Sequence, residues 1–152
     1  MGIGDARLLL WKENQNNLPK YDVLIVDAFS EDGIPIHLVT REALFVYKSR
    51  LKANGIIAFH ISNHYYDLKT VLKALALDIS WAFVYINAPT DNDTPLSDRS
   101  SVFVMSQHTE NLLPLINNGW EVENDSEDHS PALLWTDDYN SILTVLKVQK
   151  NW

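Results

Sequence analysis

The chain has 152 residues, 12 Lys and Arg against 20 Asp and Glu, a formal net charge of -8 and no cysteine. Its length fits one domain, and the absent cysteines exclude a disulfide framework, a thiolate metal site and a cysteine nucleophile while suiting a reducing, cytoplasmic setting. A net negative chain without a basic run is a poor match for nucleic acid, and no apolar stretch approaches the roughly 20 residues that cross a bilayer.

In chain order, Gly4-Asp5 reads as a strand end and Ala6 to Lys12 as a helix that Asp5 can cap. Tyr21-Asp-Val-Leu-Ile-Val-Asp27 is a nearly continuous apolar run rich in β-branched residues, the pattern of a strand buried on both faces of a parallel sheet. Thr40 to Leu51 reads as a helix capped by Thr40, with Ala43, Leu44, Val46, Tyr47 and Leu51 as its apolar stripe. Gly55-Ile-Ile-Ala-Phe-His60 is a second buried strand, launched by the turn Asn54-Gly55, and the three segments make a βαβ unit that is right-handed by default. Asp67 can cap a further helix through Leu77, and Trp81 to Ile86 forms a third strand. Asn87 to Ser100, rich in proline and aspartate, is a loop. Ser101 to Ser106 follows without an intervening helix, which favours an antiparallel strand. Thr109 to Asn117 reads as a short helix ending at Gly119, Glu121 to Ser130 as an acidic loop, and Ser141 to Val148 as a terminal helix. The expected core holds Val23, Ile25, Leu44, Ile57, Phe59, Leu72, Leu75, Val84 and Phe103. The Tyr21 strand has only one neighbour in sequence, so an open edge and a homodimer or partner chain covering it are expected.

Asp27 is the leading candidate for chemistry, because open α/β sheets place ligands at the carboxyl ends of their parallel strands. A cap or loop anchor is the competing reading there, and helix capping is the simpler reading of Asp5. His60 and His64 flank Ser62-Asn63 at the next strand end, but a metal would need a third ligand. No serine lies in a Gly-x-Ser-x-Gly elbow, so acyl transfer has no support from motif, and no phosphate-cradling glycine loop follows a strand. Asp137 and Asp138, in Trp135-Thr-Asp-Asp-Tyr139, could begin the last helix.

The blocks Tyr21-Asp-Val-Leu-Ile-Val-Asp-Ala-Phe-Ser30 and Ile34-Pro-Ile-His-Leu-Val-Thr-Arg-Glu42 resemble the spermidine synthase family, and most of all the synthase-like domains fused to membrane transporter segments. Gly4-Asp-Ala-Arg7, His60-Ile-Ser-Asn63 and Trp135-Thr-Asp-Asp-Tyr139 fall in the order that resemblance expects. It implies a class I methyltransferase-like, Rossmann-like α/β fold in which the Ser101 strand is antiparallel and inserted between the second and third strands. It also implies decarboxylated S-adenosylmethionine, or S-adenosylmethionine, as the cofactor. Asp5 and Ala6 would contact the adenine and Asp27 would be the catalytic carboxylate for an attacking small-molecule amine. Ser30, His60 and Tyr139 would lie near the substrate. Ser30 stands where orthodox synthases carry a second aspartate, and His60 and Ser62 stand where they carry a glutamine and an acid. The family's glycine-rich loop and ribose-binding acid would precede Met1, which implies a sheet lacking its first three strands and a transferase domain inactive as an isolated chain. The alternative is a non-catalytic interaction or regulatory module derived from the same fold.

Overall fold

A computed structural model describes residues 5–27, 35–62, 66–87, 101–122 and 134–146. Helix α1 (Ala6–Gln15) precedes strand β1 (Tyr21–Val26), and α2 (Arg41–Arg50) leads directly into β2 (Leu51–His60). Then come α3 (Leu68–Asp78), β3 (Ala82–Asn87), β4 (Ser101–Ser106) and the short α4 (Leu113–Ile116). The strands form one four-stranded sheet in the order β1-β2-β4-β3. β1 and β2 are parallel, and β4 runs antiparallel to both of its neighbours. This is the order that the resemblance implies, with the antiparallel β4 inserted between β2 and β3, and the fold is α/β of the class I methyltransferase-like, Rossmann-like type.

Side-chain caps set the starts of the three long helices. Asp5 caps α1 by accepting the Leu8 N–H, Thr40 caps α2 by accepting the Ala43 N–H, and Asp67 caps α3 by accepting the Lys69 N–H. At the other end of α2, Leu51 is already extended, so helix passes into strand without a loop. β2 therefore begins at Leu51, earlier than the expected Gly55. The expected turn survives as an irregularity: Tyr21 pairs with Leu51, yet Val23 pairs with Ile56, so β2 carries extra residues around Asn54-Gly55. Buried Arg50 anchors this corner by donating to the carbonyls of Leu18 (2.9 Å) and Pro19 (2.8 Å), with its guanidinium over the Tyr21 ring.

One face of the sheet packs Ile57, Phe59, Phe103 and Met105 against α2 and α3, where Leu44, Tyr47, Leu72 and Leu75 are buried. The opposite face is covered near β3 and β4, where Val84 and Val104 meet Leu112, Leu115 and Trp120. That cover does not extend to β1. Val23 and Ile25, expected in the core, are 49% and 69% exposed. Their strand is an edge strand, and their side chains point away from the face that α1 and α2 protect. The remaining expected core residues are buried.

Three segments depart from expectation. Within the terminal helix expected over Ser141 to Val148, the described residues form a 3-10 turn at Ile142–Val145, after which Leu146 bridges to Tyr66. Its β-branched residues favour that extended exit over further helical turns. Thr109 to Asn117 divides into a 3-10 turn, Thr109–Leu112, and α4, with Pro114 in the first helical turn. Glu121, expected to open a loop, instead exchanges backbone hydrogen bonds with Tyr85.

Candidate functional site

The parallel register decides where the candidate residues meet. Val26 lies beside Phe59, so the next residues, Asp27 and His60, emerge together at the carboxyl ends of β1 and β2. Their side chains touch: His60 Nδ1 lies 2.8 Å from Asp27 Oδ1. On the other side of the ring, His60 Nε2 lies 2.8 Å from Ser62 Oγ. Ser62 Oγ also accepts the Ser101 N–H at 2.9 Å, and the Ile61 N–H donates to the Ser101 carbonyl at 2.8 Å. The first residue of β4 thus holds the segment that follows β2. Asp27 and His60 keep 63% and 37% of their side-chain surface in solvent.

Beside this pair a cavity of about 340 Å³ opens between α1 and β1. Ala6, Leu9, Leu10, Leu24 and Tyr47 give it apolar walls, and Asp27 and Glu13 are its acidic lining residues. Glu13 is already engaged, accepting the Tyr21 hydroxyl at 2.9 Å and facing Arg50 at 3.4 Å. Tyr47 donates its hydroxyl to the Leu38 carbonyl, and burial raises its pKa. Ala6 and Asp27, taken from separate motifs, therefore line one space.

Asp5 is spent differently. Its carboxylate accepts the Leu8 N–H at 3.1 Å and meets His37 Nε2 at 2.9 Å. The Leu8 N–H, aided by nearby His37, holds its carboxyl below the usual range. Helix capping, the simpler reading, is what the geometry realises.

A second polar cluster joins the remaining motifs. Arg7 grips Asp137 through both terminal nitrogens, at 2.7 and 2.6 Å. Thr40 donates to the same carboxylate at 2.8 Å, and Glu42 accepts the Asp137 N–H at 2.9 Å. The Arg7 hydrogen bonds, then that of Thr40, hold the Asp137 carboxyl below its ordinary range, while Asp137 raises the Arg7 pKa. Asp137 thus clasps α1 and α2 rather than starting a helix. Fully buried Trp135 completes the attachment by accepting the Arg41 N–H on its carbonyl. Tyr139 is exposed and closes a turn with Thr136.

Ser30 and His64 lie outside the described residues. Among the described residues no group of three or more His, Cys, Asp or Glu could hold a metal ion, and no helix is long and apolar enough to cross a membrane. Motif reading did not find the Ser62 link or the Arg7–Asp137 clasp. The first depends on how the chain turns after His60 and on the Ser101 N–H that β4 brings to Ser62, and the second joins residues 130 positions apart.

No family model matches the chain. A polyamine aminopropyltransferase of Vibrio vulnificus (strain CMCP6) is 39% identical over 54 residues, a stretch that spans 36% of this chain and 18% of that relative. Among solved structures, M1.HpyAVI in complex with SAM aligns with a TM-score of 0.47 and 16% identity, over 71% of this chain and 54% of that one. A precorrin 8w decarboxylase of Methanobacterium thermoautotrophicum aligns with a TM-score of 0.40 and 20% identity, over 68% and 52% of the two chains. A precorrin-6y C5,15-methyltransferase from Geobacter metallireducens GS-15 gives a TM-score of 0.38 and 18% identity, over 62% and 48%. The chain therefore spans about half the length of these solved structures.

Proposed function

We propose that this chain is part of a spermidine synthase-like transferase domain, which moves an aminopropyl or other alkyl group from a decarboxylated S-adenosylmethionine-type donor to an amine. The observation that carries the reading is the shared cavity. Ala6, from the motif assigned to the donor, and Asp27, from the motif assigned to the chemistry, line it together. The partial likeness to a polyamine aminopropyltransferase supports the same reading.

The cavity suits the nucleoside end of such a donor in size and in its apolar walls, and acidic Asp27 in its lining would favour a neighbouring positive charge. The donor, when bound, supplies a carbon made electrophilic by its sulfonium. Ala6, Leu9 and Leu10 would hold the flat ring against α1. Asp27 would hold the amine in reach and take its proton as the nitrogen gains charge, a role worth roughly 10²–10⁴-fold in rate. His60, bonded to Asp27 Oδ1, fixes the carboxylate's orientation.

A second reading has its own observation. Both assigned carboxylates already have partners within the chain, Asp5 in Leu8 and His37 and Asp27 in His60. A non-catalytic module that kept the fold would look the same. Calorimetric titration with methylthioadenosine, the by-product of aminopropyl transfer, separates the two. The transferase reading expects binding that Ala6→Phe abolishes by filling the cavity. No heat at millimolar ligand would favour the non-catalytic module.

A further inference from the structure

We propose that Asp27, His60 and Ser62 form a nucleophilic relay, with Ser62 Oγ as a site of acyl or phosphonyl transfer independent of any nucleotide donor. The sequence contains no nucleophile elbow, but such relays are defined by geometry and role rather than by motif. The geometry here is complete in sequence of roles. An ionised carboxylate can only accept hydrogen bonds, so Asp27 Oδ1, 2.8 Å from Nδ1, directs the proton of the neutral ring to that nitrogen. Nε2 is left as an acceptor, and Ser62 Oγ is its neighbour at 2.8 Å. The Ser101 N–H fills a lone pair of the same oxygen at 2.9 Å, which leaves the hydroxyl hydrogen to point at Nε2. Nucleophile, base and orienting carboxylate thus stand in order at hydrogen-bond distances. The His60 ring keeps 37% of its side-chain surface in solvent and Ser62 is half-buried, so the pair lies at the protein surface.

The class of substrate is an activated ester or its phosphonyl analogue. Ser62 Oγ forms a bond to the acyl carbon while its proton passes to His60 Nε2. The bond from that carbon to the leaving oxygen breaks, and the leaving group takes the proton from Nε2. Water then attacks the acylated serine, gives its proton to Nε2 and releases the acid, and the proton returns to Ser62. Asp27 stays ionised throughout and stabilises the ring while it is charged.

The test uses the full chain with 4-nitrophenyl acetate and with a fluorophosphonate. The wild type should gain one phosphonyl group, mapped to Ser62 by peptide mass. Ser62→Ala should lose that label and lower ester turnover at least about tenfold, the lower part of what a general base contributes. Because the chain has no cysteine, Ser62→Cys gives a second readout. The introduced thiol should react with iodoacetamide at least about tenfold faster than glutathione, and adding His60→Gln should remove the gain. Labelling confined to other residues, together with a thiol no faster than glutathione, would overturn the relay. Titrating Ser62→Ala with methylthioadenosine keeps the proposals apart. Lost label with retained binding supports both, whereas a labelled wild type that binds no nucleoside supports the relay and ends the transferase reading.

Discussion

Strands β1 and β4 have the same length and much the same apolar, β-branched character, yet they sit in opposite surroundings. β4 has a hydrogen-bonded neighbour on each side, and its last four residues are buried. Among the described residues β1 pairs only with β2, and on its outer face Val23 and Ile25 stay 49% and 69% exposed. Composition determines that a segment will be a strand. Its place in the sheet determines whether the apolar side chains contribute stability.

Removing a large side chain from the two-sided region should show the contrast best. Phe103→Ala leaves a cavity beside Phe83, which stacks on it at 5.2 Å, and should cost about 3–5 kcal/mol in denaturant unfolding. The bulged segment of β2 should respond next. A Cβ on Gly55 would stand 2.9 Å from Leu51 Cδ2 and 3.1 Å from both Leu51 Cβ and the Lys52 carbonyl oxygen. Gly55→Ala should therefore cost about 1–3 kcal/mol by the same measurement, since backbone as well as side chain must move.

The clasp should give a smaller effect with a pH signature. Asp137→Asn should cost about 1 kcal/mol at neutral pH, the upper range for a partly exposed ion pair with good geometry. Folding lowers this carboxyl from its ordinary 3.8, so its contribution is full above that value and is lost as pH falls through the lower folded value. Melting curves from pH 6 down to about pH 2 should converge for wild type and variant at the acid end. At the bottom of the scale, Ile25→Ser should change stability by no more than about 0.5 kcal/mol. A loss as large as that of Phe103→Ala would mean that this face is covered in solution.

Strand existence and direction were legible because buried runs and missing crossover helices are local signals. Thr40 and Asp67 identified themselves as caps by residue type and position. Val23 and Ile25 were misplaced because periodicity registers an apolar face but cannot see what lies against it. The 3-10 turn at Ile142–Val145 escaped because the Leu146 bridge to Tyr66 is a tertiary contact. In the site, Asp27 and His60 stood out as strand-end residues, whereas the Ser101 N–H reaches Ser62 only because β4 pairs with β2. Arg7 and Asp137 both lie in blocks that carry the family resemblance, but nothing in either block announces that they bind each other.

The placement of β4 also has a consequence for the order of events during synthesis. β2 ends at His60, and the strand that pairs with its inner edge begins at Ser101, about 40 residues later. At roughly 5–20 residues per second, a nascent chain carries that edge unpaired for about 2–8 seconds. β3 emerges in the interval and must wait for the same strand. The sheet therefore closes from its middle in one late step, and until then its partly made halves are the species that a chaperone, or another nascent copy, would meet.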